Sequence, residues 1–422
     1  MSESLTFVLD NGSYTAKAGL SVGRAPHVIP NCLTKAKSER RKTFVGNQVD
    51  DCRDLSGLYY IYPHEKGYLV NWDIEKKVWD HVMGRDMLDI NPRMVSFLLT
   101  EPCCNFPSIQ ESFNEIAFEE YQFKSFFRCP APMLSAFKYR VENPKSVCCC
   151  VVDIGFSFTH IVPVYNGCLI TASIRRLDVA GKLLTNHLKE LVSYRQLNVM
   201  DETYVINQVK EEVCFVSQDF CRDMELAKLR DDRNTIVRDY VLPDFSHIRR
   251  GYVKTAETTN TTDATFDEQI IRLTNERFSV PEILFHPSDI GIAQCGIPEA
   301  ISAAITSTPE MLHPHLYANI LLTGGSAMLP GLRDRVYTDI RALAPWEYDV
   351  NVFQPPDPVA WAWQGGTALC KSREYELLRV TRKEFQEYGL DVCRRRFNLD
   401  ADLTVTAKKV EWRRSKGTKN AS

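Results

Sequence analysis

Several features that would assign a chain to a familiar class are missing from this sequence. No window of its 422 residues is apolar enough over sufficient length to span a bilayer, so a membrane is not an expected partner. The first residues, MSESLTFVLD, lack the basic region and long apolar stretch of a signal peptide. No CxxC pair occurs, which argues against zinc as a cofactor. The net charge is only −3, so no global basic field indicates nucleic-acid binding.

The 14 cysteines are compatible with either disulfides or reduced thiols. Several are adjacent in the chain, as in Cys103–Cys104 and the run 148–150, and lie in apolar segments. Adjacent cysteines have poor geometry for bridging each other, and cysteine is among the most frequently buried side chains. We therefore expect buried thiols in a reducing, intracellular compartment.

Basic residues are concentrated in two places despite the near-neutral total. KAKSERRK occupies residues 35–42, and a basic C-terminal tail covers residues 398–422. Either segment is explained by a solvated surface or by contact with an acidic partner. The Thr-rich stretch 254–266 is expected to be a surface loop of unassigned role.

A strand, an Asp-x-Gly turn and a second strand occur near the start of each half of the chain. The first copy is TFVLDNGSYTAKAG, residues 6–19, and the second is CCVVDIGFSFTHIVPVYNG, residues 149–167. One such turn alone is an ordinary hairpin. Its recurrence favours two similar lobes that enclose a cleft.

The two turns carry residue types suited to phosphate and magnesium. Gly12 lets the backbone approach a ligand closely, Ser13 adds a further donor, and Lys17 supplies a point charge for a phosphate. Asp10 and Asp153, one from each turn, are predicted to hold a hydrated Mg²⁺, which binds one or two carboxylates together with phosphate oxygens.

Two further segments are candidates for the cleft wall. LYANILLTGGSAMLPGLRDR, residues 316–335, predicts a buried strand, a Gly-Gly-Ser turn and a helix opening near Pro330. VKEEVCFVSQDF, residues 209–220, predicts a helix with an apolar valine stripe at 209, 213 and 216. Taken in isolation, Lys210 and Glu211 on this helix are surface charges.

These segments resemble the actin family over nearly the whole chain. Further blocks agree in order and spacing: GYLVNWDIEKKVWDHV, LDVAGKLLTNHLKEL, LTNERFSVPEILFHPSDIGI, WAWQGGTALC and VTRKEFQEYG. The resemblance implies an α/β, two-lobed fold with four subdomains around a central nucleotide cleft, holding ATP or ADP with Mg²⁺. It implies these nucleotide-binding residues: Asp10, Gly12, Ser13, Lys17, Asp153, Gly155, Lys210, Glu211, Gly324, Gly325, Ser326 and Met328.

The same resemblance implies the subdomain boundaries. Subdomain 1 is expected at 1–31, 68–140 and 360–397, and a shortened subdomain 2 at 32–67. Subdomain 3 is expected at 141–178 and 278–359, and subdomain 4 at 179–277.

The sequence departs from the family pattern where hydrolysis would occur. Tyr14 stands where actins have a small residue, and Phe156–Ser157 stand where actins have Asp-Gly. Ala131 stands where actins have the glutamine that positions the attacking water. His160 is retained but is expected to be structural. Because phosphoryl transfer depends on positioning, we expect no catalytic residue and slow or absent ATP hydrolysis.

A few segments are similar to a nuclear branch of the family: residues 193–204, the LPD near Leu242, GYVKTAE from Gly251 and the CRRRF ending at Phe397. This implies a nuclear scaffold subunit, with the cytoplasm as a second location, in a remodelling complex that exchanges a core histone for its Z-type variant. The implied partners are the remodeller ATPase and a small zinc-containing subunit, with nucleosomes or histones contacted indirectly. No self-filament is expected, because KAKSERRK replaces the loop through which actins contact the next subunit.

Three other functions compete with the scaffold role. A slow ATPase acting as a conformational switch is the alternative, which Ala131 and Phe156 oppose. A cytoskeletal filament is opposed by the missing contact loop. A sugar kinase shares such a cleft but needs a catalytic aspartate facing a substrate pocket, and none is evident.

Overall fold

A computed structural model describes residues 5–37, 42–52, 55, 57–230, 233–245, 247–254 and 268–398. Residues 38–41 of the basic stretch, residues 255–266 of the Thr-rich loop and the tail from residue 399 onward lie outside the described residues. In the described part, no helix combines the length and the apolar character needed to cross a bilayer.

The described residues form 20 strands: β1 Thr6–Asn11, β2 Thr15–Leu20, β3 His27–Pro30, β4 Leu33–Lys35, β5 Phe44–Val45, β6 Tyr59–Ile61, β7 His64–Glu65, β8 Tyr68–Leu69, β9 Ser96–Glu101, β10 Ser125–Pro130, β11 Cys148–Ile154, β12 Thr159–Tyr165, β13 Cys168–Leu169, β14 Arg175–Leu177, β15 Arg238–Val241, β16 Tyr252–Val253, β17 Ile270–Leu273, β18 Ile320–Thr323, β19 Val352–Phe353 and β20 Val380–Thr381.

The same residues form 14 α-helices: α1 Trp72–Met83, α2 Pro107–Glu115, α3 Ala131–Glu142, α4 Gly181–Arg195, α5 Thr203–Val213, α6 Phe220–Lys228, α7 Glu276–Glu282, α8 Ile297–Thr306, α9 His313–Tyr317, α10 Leu332–Leu343, α11 Trp361–Cys370, α12 Arg373–Leu378, α13 Arg382–Tyr388 and α14 Leu390–Arg396.

Two six-stranded sheets repeat one motif, which confirms the expected duplicated α/β lobes. The first sheet has the order β20-β10-β9-β1-β2-β3, and the second contains the path β13-β12-β11-β18-β19. In the first, β1 pairs antiparallel with β2 and parallel with β9. In the second, β11 pairs antiparallel with β12 and parallel with β18. Each Asp-x-Gly turn therefore joins the hairpin at the centre of its own sheet.

The central strands of each large sheet are buried almost throughout, and one face of the second sheet shares a hydrophobic core with the first sheet. All six residues of β1 are buried, and so are the cysteines and valines that begin β11. Such continuous burial is typical of strands covered on both faces. The smaller sheets β5-β4-β6 and β16-β15-β17 extend one lobe each. The proposed subdomain boundaries stay a prediction.

The thiol prediction holds for most of the cysteines. None of the 14 forms a disulfide, and nine of them are buried, including the run Cys148–Cys150. Cys104, Cys221 and Cys295 are exposed and are not core thiols.

The helix prediction for residues 209–220 was partly wrong. Helix α5 ends at Val213, and Cys214 has extended backbone dihedrals, so Val216 is buried outside the helix. The helix predicted near Pro330 begins at Leu332, after Gly331 takes a left-handed conformation with φ of 84°.

Candidate functional site

A cavity of about 520 Å³ lies between the two lobes, and every predicted nucleotide-binding residue lines it. Asp10, Gly12, Ser13 and Lys17 come from the first hairpin, and Asp153 and Gly155 from the second. The remaining wall residues are Lys210, Glu211, Gly324, Gly325, Ser326 and Met328. The structure thus brings together four segments that are far apart in the sequence.

Asp10 is held in place by two neighbours. It lies opposite Lys17 in the β1–β2 register, which puts the Lys17 Nζ 3.2 Å from the Asp10 Oδ2. The Thr100 hydroxyl donates to the Asp10 Oδ1 at 2.7 Å. One strand pair therefore presents a carboxylate and an ammonium group to the cavity side by side.

Asp153 faces the same cavity from the other lobe. Burial raises the pKa of its carboxyl to about 6, the negative charge of Asp10 adds to this, and Lys17 opposes it. A divalent cation between the two carboxylates would remove this electrostatic penalty, so the donor set fits Mg²⁺. Among the described residues no three His, Cys, Asp or Glu side chains are grouped to hold a metal by themselves. Phosphate oxygens and water would have to supply the other ligands.

The turn after β18 brings its backbone against the second Asp-x-Gly turn. Gly324 has φ of +90°, and a Cβ there would lie 2.4 Å from the Ile154 carbonyl oxygen. Glycine is therefore required at this position. The Ser326 hydroxyl donates to the Gly155 carbonyl oxygen at 3.3 Å, which joins the third segment to the second turn.

Lys210 is buried, so its interpretation as a surface charge was wrong. Its ammonium group donates to the Gly181 carbonyl oxygen at 3.2 Å, and to the Thr185 hydroxyl and the Asn207 Oδ1 at 2.9 Å each. All three N–H bonds are thus used inside the protein. The Lys210 ammonium fixes α4 against α5 and leaves the adjacent Glu211 carboxylate on the cavity wall.

The two altered turns contact each other across the cleft. The Tyr14 ring stacks on the Phe156 ring with centroids 4.5 Å apart. The Ser13 and Ser157 hydroxyls are hydrogen-bonded at 2.8 Å, and the Asn207 side chain donates to the Tyr14 hydroxyl at 3.3 Å. These departures were evident from the sequence, but their pairing across the lobes was not, because Tyr14 and Phe156 are 142 positions apart in the chain.

Ala131 begins α3 and lines the cavity next to Pro132. A methyl group has no donor or acceptor with which to orient a water molecule. His160 also lines the cavity, but its ring packs 4.2 Å from the Phe158 ring, and burial lowers its pKa to about 3. The imidazole is therefore neutral at physiological pH.

A buried pair that was not predicted from the sequence lies next to the first turn. The Glu75 side chain is fully buried, accepts a hydrogen bond from the Trp79 indole at 3.0 Å and lies 4.0 Å from the His64 Nδ1. Burial raises the pKa of Glu75 to about 7 and lowers the pKa of His64 to about 4. No sequence signal identifies this pair, because Glu75 lies on a helix that looks amphipathic and charged.

Comparison with known proteins agrees with this geometry. Residues 1–398 match the family profile described as Actin. The chain belongs to the actin family. It is 46% identical over 387 residues to "Actin-related protein 6" of Drosophila melanogaster, an alignment that covers 90% of this chain and 97% of that protein. It is 39% identical over 418 residues to "Actin-related protein 6" of Arabidopsis thaliana, covering 92% of this chain and 98% of that protein. Both relatives are actin-related proteins rather than conventional actins.

Proposed function

We propose that this actin-related protein is a non-filamentous scaffold subunit of a nuclear chromatin-remodelling complex that exchanges a core histone for its Z-type variant, with a nucleotide as a structural ligand. Its likeness to proteins named Actin-related protein 6 and the segments that resemble the nuclear branch support this assignment. The proposed partners are the remodeller ATPase, a small zinc-containing subunit and, indirectly, the nucleosome.

The observation that carries the proposal is the direct contact between the two Asp-x-Gly turns, one from each lobe. Stacking of Tyr14 on Phe156 and the hydrogen bond between Ser13 and Ser157 join the lobes through protein atoms. Closure of the cleft then does not depend on a terminal phosphate, so hydrolysis would have little effect on the shape of the protein. This suits a scaffold better than a switch.

Nucleotide binding remains compatible with the same site. Asp10 and Asp153 would hold Mg²⁺ through water, and Lys17 would contact a phosphate. The backbone at Gly12 and Gly155 would approach phosphate oxygens, and Glu211 with the 324–326 turn would border the nucleoside. The bound Mg²⁺ would supply charge neutralisation between two carboxylates.

The alternative is a slow ATPase that acts as a conformational switch. It is favoured by the retained Asp10, Lys17 and Asp153, and opposed by Ala131 at the start of α3. A switch requires the two nucleotide states to stabilise different conformations. The direct contact between the two turns opposes this, because it holds the lobes together in either state.

Purification of the native protein from nuclei tests the scaffold role. We expect it to elute with a remodeller ATPase and a zinc-containing subunit, which mass spectrometry identifies, and to release nucleotide on denaturation. Elution as a free monomer or as a self-filament would contradict the proposal.

We predict that Mg²⁺-nucleotide stabilises the isolated chain. A ligand that binds only the native state raises the free energy of unfolding by about 2.7 kcal/mol at a concentration 100 times its dissociation constant. Thermal melts of nucleotide-free protein, with and without Mg²⁺-ATP, measure the shift, and Asp153→Ala should abolish it. If millimolar Mg²⁺-ATP left the melting temperature of the wild-type protein unchanged, the result would show that the cleft does not bind this nucleotide.

A further inference from the structure

A second cavity of about 390 Å³, called here the outer cavity, also lies between the lobes. One wall contains Lys37 and residues 57–60. The other contains residues of α4 together with Met200, Asp201, Thr203, Tyr204 and Asn207. Aromatic side chains dominate its lining: Tyr14, Tyr59, Tyr60, Tyr62, Phe156 and Tyr204. The proposed nucleotide role does not account for this cavity.

The charge of the outer cavity is positive. Among the described residues, Lys37, Lys182 and Lys189 line it together with the carboxylate of Asp201. The neighbouring Glu202 carboxylate accepts a hydrogen bond from the Gly57 backbone N–H. Lys37 lies 3.4 Å from Asp201 with both side chains mostly exposed, and Lys189 donates to the Thr203 hydroxyl at 2.9 Å. Lys182 is exposed. An anionic ligand therefore fits the lysines of the lining better than a cation, although the faces of the aromatic rings alone would favour a cation.

The cavity also contains a polar group without a hydrogen-bond partner and large side chains that remain exposed. The Tyr60 hydroxyl is buried and has no hydrogen-bond partner among the described residues. An unmet buried donor is unfavourable. At the rim, Tyr59 is 67% exposed and Met200 is 45% exposed. Exposed large apolar side chains beside a concave aromatic pocket are typical of binding sites.

The positive surface continues beyond the cavity. Lys35 is exposed and pairs with Tyr59 in the β4–β6 register, so its position adjoins the rim. A small molecule confined to the cavity would not use this charge, whereas an extended polypeptide with several carboxylates would. The combination of an aromatic pocket and a row of lysines matches an acidic segment with one aromatic anchor.

We propose that the outer cavity is the docking site of an acidic polypeptide segment from a partner subunit. The segment inserts an aromatic side chain among the tyrosines and places carboxylates against Lys37 and Lys182. This inference rests on the proposed scaffold role, since it assigns a surface through which the chain joins its assembly.

Docking in the outer cavity is coupled to the nucleotide cavity. Tyr14, Phe156 and Asn207 line both cavities and form the wall between them. A segment packed against one side of this wall holds the Tyr14–Phe156 stack in place on the other side. Docking therefore strengthens nucleotide binding, and bound nucleotide strengthens docking by the same free energy.

Photo-crosslinking in the purified native assembly identifies the occupant. Tyr59 is replaced by the photoreactive residue p-benzoylphenylalanine, and mass spectrometry maps the crosslinked segment. We expect an acidic segment that contains an aromatic residue. A crosslink to a basic histone tail, to DNA or to no partner chain would overturn the inference, while an assembly that still forms would leave the scaffold role standing. Failure of the wild-type chain to join any assembly would contradict both.

Peptide titration with matched variants then tests the chemistry. A fluorescent peptide of the mapped segment is titrated against the full chain by anisotropy. Tyr59→Glu and Lys182→Glu should each weaken binding about tenfold or more, and added salt should weaken wild-type binding. Both side chains are exposed, so the fold should persist.

The controls repeat each substitution away from the cavity. Lys145→Glu changes an exposed lysine in the loop between α3 and β11, and Tyr194→Glu changes a 92% exposed tyrosine about 18 Å along α4 from Lys182. Both controls should bind the peptide as wild type does. Equal weakening by variants and controls, or no weakening by either cavity variant, would overturn the proposed site.

Discussion

Replacing Glu75 with glutamine is expected to raise the free energy of unfolding by about 3 kcal/mol at pH 8, because one pKa unit corresponds to about 1.4 kcal/mol. The carboxyl titrates near 4.5 in the unfolded chain and near 7 in the fold, where burial opposes its charge. The folded state therefore binds the proton more tightly, and wild-type stability falls as the pH rises from about 4.5 to about 7. Glutamine is neutral in both states and can still accept from the Trp79 indole.

Chemical denaturation of Glu75→Gln and wild type from pH 4 to pH 8 measures this effect. The difference in stability should be small at pH 4, grow up to about pH 7 and then stay constant. Glu65→Gln is the matched control, because Glu65 is exposed and nearby in the sequence, and its stability should follow wild type. A stability difference that does not change with pH would mean that burial does not raise the pKa of Glu75.

Replacing Gly67 with alanine should destabilise the protein by about 3 kcal/mol, since left-handed backbone strain and overpacking both apply. Gly67 has φ of +81°, and a Cβ there would lie 1.9 Å from the Phe158 ring on the opposite lobe. Arg176 reinforces the same junction, donating to the Lys66 carbonyl oxygen at 2.9 Å and covering the Phe158 ring. The substitution should therefore also speed nucleotide release by separating the lobes.

The control variant Gly291→Ala separates the cost of left-handed backbone strain from the cost of the steric clash with Phe158. Gly291 has φ of +80°, but a Cβ there meets nothing within 4 Å. The free energy of unfolding of Gly291→Ala should therefore fall only by the cost of backbone strain, about 1 kcal/mol. In the Gly67→Ala background, Phe158→Ala should recover part of the lost stability, because it removes the ring that the new Cβ contacts. A double-mutant cycle of unfolding free energies measures this recovery. Equal destabilisation by the two glycine variants would show that the lobes do not meet at Gly67.

The sequence was most informative where chemistry and backbone conformation are local. The Asp-x-Gly hairpins and the strand before Gly324 were predicted from turn residues and apolar runs. The full set of cleft residues and the altered positions Tyr14, Ala131 and Phe156 were identified from the resemblance to actins. Spacing alone did not reveal the burial of Lys210, because its partners Gly181 and Thr185 lie on another helix. The Glu75–His64 pair and the outer cavity likewise depend on long-range packing between segments that carry no motif.

Simultaneous measurement of bound nucleotide and released phosphate tests the central claim most directly. Nucleotide-free protein is incubated with Mg²⁺ and radiolabelled ATP, with conventional actin treated in parallel. We predict about one nucleotide per chain and phosphate release about a hundredfold slower than that of actin, since misplacement of the attacking water has effects of this size. Ala131→Gln should raise the rate only modestly, because Phe156 still alters the second turn. Phosphate release as fast as that of actin, and abolished by Asp153→Ala, would contradict a cleft that holds its ligand without turning it over.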